Sequence, residues 1–158
     1  MGRDHSYRRD TPVAMTREDI QVVIRYYQAA DLAAAAELLA GDVAFWFHGE
    51  TRHLAGAERI SGKSAAVGWL ADWFSRFDSN YAVEVTETRD LGDRVLVVTR
   101  HRATGRASGV PIDQTTGQIM TLRDGQIVRQ DFYGTPEEAI EAVARATSDP
   151  DGSTGSGR

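Results

Sequence analysis

The sequence predicts an α+β fold in which helices cover the concave face of a strongly curved, antiparallel sheet. Helical segments dominate the first half of the chain, and four strand-like segments with short turns then follow one another, which favours antiparallel pairing. Between the last two strands, Asp124-Gly125 is a strong signal for a two-residue hairpin turn. A curved sheet with helices across it leaves a pocket between the two layers.

The composition is that of one globular domain. A chain of 158 residues is long enough to bury one core, and its net charge of −5 argues against a nucleic-acid partner. The absence of cysteine excludes disulfides and thiolate chemistry. No apolar segment reaches the roughly 18 residues of a membrane span. No apolar segment of a signal peptide follows Arg8-Arg9, so we expect a cytoplasmic protein without a membrane partner.

We expect one folded domain over residues 16–146, flanked by disordered tails. Residues 1–15 and 147–158 are charged or rich in small polar residues, and neither segment has a periodic apolar pattern. Such segments bury too little apolar surface to offset the entropy lost on ordering.

Capping residues predict the first two helices. Thr16 and Asp19 approximate a capping box, and apolar residues then repeat at helical spacing. Asp31 is suited to cap a second helix over residues 32–39, which Gly41 would end.

The middle of the chain predicts a strand, a loop and a third helix. Residues 43–48 alternate with apolar side chains on both faces, and residues 49–62 have the composition of a loop. The third helix is predicted over residues 64–77, with Trp69 and Trp73 stacked four residues apart.

The second half of the chain predicts four strands and a closing helix. The strands are expected at residues 81–88, 94–102, 114–122 and 126–133. The closing helix begins at a capping box, Thr135-Pro136-Glu137-Glu138, which has proline at the first helical position.

This order of elements resembles the ketosteroid isomerase-like superfamily, also called nuclear transport factor 2-like or SnoaL-like. The resemblance covers about residues 16–146 and is carried by residues 27–47, 53–62 and above all 107–142. The run LRDGQIVR at residues 122–129, followed by Tyr133, is specific for the fold. The resemblance implies a cone-shaped, barrel-like domain with reacting groups on the concave face, and a homodimer formed through the outer sheet face.

The resemblance also marks departures from two known enzyme types. Phe47 falls near the general-base aspartate of ketosteroid isomerases, and Val23 falls near their oxyanion-donor tyrosine. Val95 and Val97 replace an arginine and an aspartate of limonene epoxide hydrolases, whereas Asp131 matches the acid of those hydrolases. The chain therefore lacks the complete catalytic set of either type.

Three residues are candidates for catalysis. The resemblance places Asp131 in the pocket as an acid or base, although it could instead pair with Arg129 or Arg100 at the sheet rim. Gln118 falls near an oxyanion-donor acid of ketosteroid isomerases, and its amide could donate to a carbonyl oxygen. His48, which ends the first strand, could shuttle protons at the pocket mouth or be a plain loop histidine.

Strand alternation places further polar residues beside these candidates. Gln114 and Thr116 share the face of Gln118, unless the register is shifted by one residue and all three face solvent. His101 shares the parity of Val97 and Thr99 and could reach the pocket, or could lie at a frayed strand end.

The predicted ligand surface is mainly apolar and aromatic, which predicts a bulky, ring-containing ligand. Its expected members are Tyr27, Phe45, Phe47, Trp69, Trp73, Val97, Thr99, His101, Thr116, Met120 and Tyr133. No metal is expected, because His48 and His53 have the wrong spacing for one helix face and no nearby carboxylate completes a site. No phosphate-binding or dinucleotide-binding motif indicates a cofactor.

The sequence supports two functions. The first is a cofactor-free enzyme for a hydrophobic small molecule, an isomerase, cyclase, dehydratase or hydrolase in which Asp131 transfers the proton and Tyr133 positions the ligand. The alternative is a non-catalytic module for ligand binding or dimerisation. Leu96 and Val98, on the second face of their strand, need cover from water and add to the expectation of a homodimer.

Overall fold

The computed structural model describes residues 15–148 as six strands and five helices. In chain order these are α1 (Arg17–Tyr27), α2 (Leu32–Glu37), β1 (Leu39–Phe47), α3 (Thr51–Ala55), β2 (Arg59–Ser61), α4 (Lys63–Phe74), β3 (Ala82–Asp90), β4 (Val95–Thr104), β5 (Pro111–Arg123), β6 (Gln126–Tyr133) and α5 (Pro136–Ser148). Within this range, no helix is both long enough and apolar enough to cross a membrane. The tails predicted from the sequence fall mostly outside the described residues.

One curved, unclosed sheet holds all six strands in the order β2-β1-β6-β5-β4-β3. The predicted α+β class is therefore confirmed. Antiparallel pairing joins every neighbouring pair except β1 and β6, which are parallel. Parallel strands need a long connection between them. The connection between β1 and β6 is long because it contains every element from α3 to β5.

The main core lies between the concave face of the sheet and helices α1, α2 and α4. Phe45, Val97 and Met120 point into it from three different strands and are completely buried. Val23 of α1 is also completely buried in this cluster. Burial of such apolar side chains is the main favourable contribution to folding.

The closing helix α5 differs from the prediction, because it packs on the opposite, outer face of the sheet. There Ala139 forms a second apolar cluster with Leu96 and Ile119. Leu96 is only 1% exposed and Val98 only 7%. Both are thus buried within a single chain and no longer argue for a subunit interface, so the homodimer stays a prediction that rests on the family resemblance.

Several element boundaries differ from those predicted. Gly41 does not end α2 but lies inside β1, which begins at the buried Leu39. The expected loop at residues 49–62 contains α3, which ends at Gly56 with a left-handed φ of 75°, and the short strand β2. Helix α4 stops at Phe74, three residues before the predicted end. Met15, expected in the tail, packs in the main core.

The predicted caps and the hairpin turn are present. The Asp19 N–H donates to the Thr16 hydroxyl, and the Thr16 N–H donates to the Asp19 carboxylate, both at 3.1 Å. Asp31 caps α2 by accepting the Ala34 N–H. In the β5–β6 hairpin, Asp124 and Gly125 have φ values of 54° and 77°, as the two-residue turn requires.

A β-bulge interrupts the β5–β6 hairpin two residue pairs after its turn. Leu122 pairs with Ile127, but Thr121 pairs with Arg129, so Val128 has no partner on β5. One extra residue on one strand reverses the face of every side chain beyond it. This bulge sets which residues of β6 face the concave side.

A substitution at Gly117 tests how closely α5 packs on the outer face of the sheet. A Cβ atom at this position would lie 3.0 Å from the Cβ of Ala139 and 3.0 Å from the Cα of Pro136. We expect Gly117→Ala to lower the free energy of unfolding by about 1–2 kcal/mol, because α5 must move outward. Gly41→Ala is the matched control, since a Cβ there meets no atom within 4 Å. Equal stability of the two variants in urea unfolding would contradict close packing of α5.

Candidate ligand-binding site

A cavity of about 740 Å³ lies between the concave face of the sheet and helices α1 to α4. This volume falls within the range of small-molecule sites, which is about 300–1,000 Å³. Its apolar lining comes mainly from large side chains, among them Phe47, Leu54, Leu70, Phe74, Phe77, Ile112 and Phe132. Leu54 and Phe74 also reach the surface, where they are 55% and 36% exposed.

Two tryptophans of α4 form a flat wall of the cavity. The rings of Trp69 and Trp73 are stacked at 5.8 Å and 14°, as their spacing on the helix predicts. Each indole N–H is bonded, that of Trp69 to the Ala55 carbonyl and that of Trp73 to the Tyr81 hydroxyl, both at 3.2 Å. These bonds hold both rings in place, and the Arg76 guanidinium lies over the Trp73 ring at 5.4 Å.

A connected row of uncharged polar groups also lines the cavity and meets this wall where Tyr81 is bonded to Trp73. We call it the polar seam; it consists of Tyr26, Tyr27, Tyr81, Thr99, His101, Thr116, Gln118 and Gln130. At one end, Tyr26 donates to the Gln130 carbonyl, the Gln130 amide donates to the Tyr27 hydroxyl, and Tyr27 donates to the Gln118 carbonyl. All but Thr99 also line the cavity.

The other end of the polar seam is built around His101. Its Nδ1 lies 3.0 Å from the Tyr81 hydroxyl, and its Nε2 lies 2.9 Å from the Thr99 hydroxyl. The Thr99 hydroxyl is also 3.3 Å from the Gln118 carbonyl, and the Gln118 amide donates to Thr116 at 2.7 Å. Within residues 15–148, no buried side-chain nitrogen or oxygen lacks a hydrogen-bond partner.

Burial keeps the titratable groups of the seam uncharged at neutral pH. Desolvation lowers the pKa of His101 to about 4 and raises the pKa of Tyr81 above its usual value. Burial likewise raises the pKa of Tyr27. Of the described residues that line the cavity, the only ions at neutral pH are Asp31 and Arg76, and both side chains are exposed. The interior therefore offers hydrogen bonds without net charge.

Asp131, the strongest catalytic candidate from the sequence, does not line the cavity. Its side chain lies on the outer face, where Arg129 donates to both carboxylate oxygens at 2.9 and 3.0 Å. His48 Nε2 is 2.8 Å from the same carboxylate, and the His48 ring stacks on Tyr133 at 4.5 Å. The alternative recognised from the sequence, a rim pair with Arg129, is the arrangement observed. His48 also lies outside the cavity lining.

The bulge at Val128 is the physical reason for this difference. A regular hairpin from the Asp124-Gly125 turn would pair Gln118 with Asp131, with both side chains on the concave face. The extra residue instead pairs Gln118 with Phe132 and Ile119 with Asp131. Residues 130 and 132 consequently face the cavity, and residue 131 faces outward.

Most of the remaining predicted ligand residues do meet at the cavity. Its lining includes Tyr27, Phe47, Trp69, Trp73, His101, Thr116, Gln118 and Tyr133, together with Gln114. Three others, Phe45, Val97 and Met120, are buried in the core and do not line it. Thr99 is also buried behind the lining, where it supports His101.

Sequence reasoning missed several residues of the site, among them Tyr26, Tyr81, Gln130 and Phe132. Gln130 and Phe132 could have been found by pairing β6 with Phe45 and Phe47 of β1, which are their partners in the sheet. The sequence pattern places Tyr81 at the start of a predicted strand and does not indicate a place in the site. Among the described residues, no group of three or more histidine, aspartate or glutamate side chains is arranged to hold a metal ion.

Comparison with known proteins gives one match to a family model. The model of the SnoaL-like domain matches residues 20–130. No curated protein is significantly similar in sequence. A putative SnoaL-like polyketide cyclase from Jannaschia sp. CCS1 is 18% identical with a TM-score of 0.66, and the alignment covers 82% of this chain and 93% of that one.

Two further solved structures share the fold and contain small molecules. A hypothetical protein with a ketosteroid isomerase-like fold from Catenulispora acidiphila DSM 44928, in complex with trimethylamine, is 18% identical with a TM-score of 0.61, covering 76% of this chain and 87% of that one. TerC co-crystallized with polyporic acid is 18% identical with a TM-score of 0.64, covering 80% and 98%. At such identities the likeness establishes the fold alone.

The low pKa of His101 predicts a specific loss of stability in mild acid. Between pH 6.5 and 4 the unfolded chain binds a proton at His101 that the folded chain does not, so the free energy of unfolding falls as the pH falls. From pH 7 to pH 5 this effect is about 2 kcal/mol. We expect His101→Asn to lose this part of the pH dependence in urea unfolding. A variant as acid-sensitive as the wild type would contradict burial of a neutral imidazole.

We expect the Asp131 carboxylate to stabilise the fold. Asp131→Asn should lower the free energy of unfolding by about 1–3 kcal/mol, because the amide keeps the shape but loses the charge-assisted bonds to Arg129 and His48. Asp113→Asn is the control, since Asp113 makes a similar pair with Arg100 at an exposed position. Chemical denaturation of the three proteins gives the comparison. An Asp131 variant as stable as the control would show that the pair does not stabilise the fold.

Proposed function

Because the chain belongs to the SnoaL-like family, we propose that its cavity binds an uncharged, ring-containing small molecule. The observation that carries the proposal is the division of the cavity into an aromatic wall and an uncharged polar seam. Proteins of this fold are typically small-molecule isomerases or cyclases. The small molecules in two solved structures of the fold, trimethylamine and polyporic acid, also support a ligand here.

The chemistry of the lining argues for a neutral ligand. An ion that enters an interior without an opposite charge loses its hydration and gains no ion pair, which is costly. A neutral ring loses little hydration and gains contact with Trp69 and Trp73. Each amide nitrogen of Gln118 and Gln130 donates one hydrogen within the seam, so its second N–H is available to an acceptor oxygen on the ligand.

Proton-transfer catalysis is the second candidate function, and the position of His101 favours it. With Asp131 on the outer face, His101 is the one of the three described histidines that lines the cavity. Its imidazole is unprotonated at neutral pH and is held by Tyr81 and Thr99. In this proposal the ligand displaces the Tyr81 hydrogen bond, and His101 Nδ1 accepts a proton from a carbon next to the ligand carbonyl, while an amide N–H of Gln118 stabilises the resulting oxyanion.

A matched pair of probes tests the proposed binding. Calorimetric titration compares 2-acetylnaphthalene with 2-naphthoate, which share the ring system and differ in charge. We expect the neutral ketone to bind at least about tenfold more tightly, because Arg76, the only cation among the described lining residues, is exposed and already paired with Asp72. Equal or tighter binding of 2-naphthoate would exclude a cavity selective for neutral ligands.

Two tryptophan variants locate the bound probe. Trp73→Phe changes the wall of the cavity, whereas Trp46→Phe changes a ring on the outer face that lies beside Arg59 and Arg129. We expect Trp73→Phe to weaken binding of the ketone about threefold or more and Trp46→Phe to leave it unchanged. The reverse order would place the ligand elsewhere.

The same ketone separates catalysis from binding. If His101 transfers protons, the wild type accelerates exchange of the acetyl hydrogens for deuterium in heavy water, and His101→Asn does not. Proton NMR follows this exchange directly. Binding without accelerated exchange would favour the non-catalytic function.

A further inference from the structure

Tyr81 connects the tryptophan wall to the polar seam. It precedes β3, and its ring packs edge-on against Phe74 at 4.9 Å and Phe77 at 5.1 Å. Its hydroxyl accepts the Trp73 N–H at 3.2 Å and lies 3.0 Å from His101 Nδ1. The ring and the hydroxyl are thus both held in place by neighbouring side chains.

Donor capacity fixes the first hydrogen bond of this chain, because an indole N–H can only donate and the Tyr81 oxygen therefore accepts from Trp73. We assign the single hydrogen of Tyr81 to His101 Nδ1, the acceptor that lies 3.0 Å away. Nδ1 is then an acceptor, and a neutral imidazole must carry its hydrogen on Nε2. That nitrogen faces the Thr99 hydroxyl at 2.9 Å.

The same reasoning extends from His101 to Gln118. The Thr99 oxygen accepts from His101, so its own hydrogen can go to the Thr116 hydroxyl at 3.1 Å or to the Gln118 carbonyl at 3.3 Å. We assign it to the carbonyl, because a carbonyl oxygen can only accept whereas Thr116 can itself donate to Thr99. Tyr27 donates to that same carbonyl oxygen. Two donors on one side fix the orientation of the carboxamide, which turns its nitrogen toward Thr116 and the cavity.

We propose that Tyr81 is a positioning residue that holds His101 as its Nε2–H tautomer and thereby orients the Gln118 amide toward the ligand. Only the consequence for ligand choice rests on the proposed function. An amide N–H directed into the cavity favours a ligand with an acceptor oxygen at that point over one with a donor hydroxyl.

The tautomer of His101 is tested in the ligand-free protein. Long-range ¹H–¹⁵N NMR distinguishes a protonated ring nitrogen from an unprotonated one, and His53 provides an internal reference. We expect the wild type to show protonated Nε2 and unprotonated Nδ1 at His101. In Tyr81→Phe the Nδ1 resonance should shift, because its donor is lost, and signal from the Nδ1–H tautomer should appear.

The control is Tyr133→Phe, which removes a hydroxyl from another tyrosine of the cavity lining that has no hydrogen bond to His101. This variant should leave both His101 nitrogens unchanged. Backbone ¹H–¹⁵N spectra show that each variant is folded. Protonated Nδ1 in the wild type, or unchanged His101 resonances in Tyr81→Phe, would overturn the proposal.

Affinity measurements test the effect on Gln118. The probes are 2-acetylnaphthalene, which has only an acceptor oxygen, and 1-(2-naphthyl)ethanol, which adds a donor hydroxyl. We expect the wild type to prefer the ketone and Tyr81→Phe to reduce this preference about threefold or more. An unchanged preference would overturn the role of Tyr81 in orienting Gln118. If neither probe binds the wild type, the proposed function fails, while the NMR result still decides the tautomer.

Discussion

The bulge at Val128 is the constraint on which the site depends, because it sets the register of β6 against both of its neighbours. Ile127 and Gln130 are three residues apart, yet both point into the main core, which is possible only if one residue between them is extra. The shift brings Gln130 beneath Tyr26 and Tyr27 and places Phe132 beside Phe47. Without the bulge, the carboxylate of Asp131 would occupy the position of the Phe132 ring in the cavity.

The outward turn of residue 131 gives the two faces of β6 opposite electrostatic character. On the outer face, Asp131 is only 5% exposed, its charge is balanced by two donors of Arg129, and His48 Nε2 lies 2.8 Å from its carboxylate. A buried carboxylate needs such compensation, and the outer face can supply it because Arg129 itself extends into solvent. On the concave face no cation is required, so the seam can consist of amides, hydroxyls and one neutral imidazole.

Local signals in the sequence were sufficient for the fold class and for much of the cavity lining. The capping box at Thr16 and the Asp124-Gly125 turn each depend on a few neighbouring residues, and both are present as predicted. The bulge at Val128 has no such signal, because residues 126–133 have apolar side chains on both faces of the strand and fit β5 almost equally well with or without the extra residue. Its energy comes from pairing with distant strands, including the parallel partner β1. The family resemblance, which predicted the fold, therefore could not place Asp131.

The polar seam also explains how a cavity can hold buried polar groups without an ion. In a chain of hydrogen bonds that all point the same way, each bond polarises the next and strengthens it. Two such chains end at the Gln118 carbonyl, one through Tyr27 and one through Thr99. Because the protein already satisfies these acceptors, the groups with unused capacity are amide N–H donors. The tryptophan wall supplies contact area, and the polar seam supplies hydrogen-bond donors that orient the ligand. Affinity for a ring and discrimination among its polar substituents would therefore come from two different surfaces of one cavity, and Tyr81 is hydrogen-bonded to both of them.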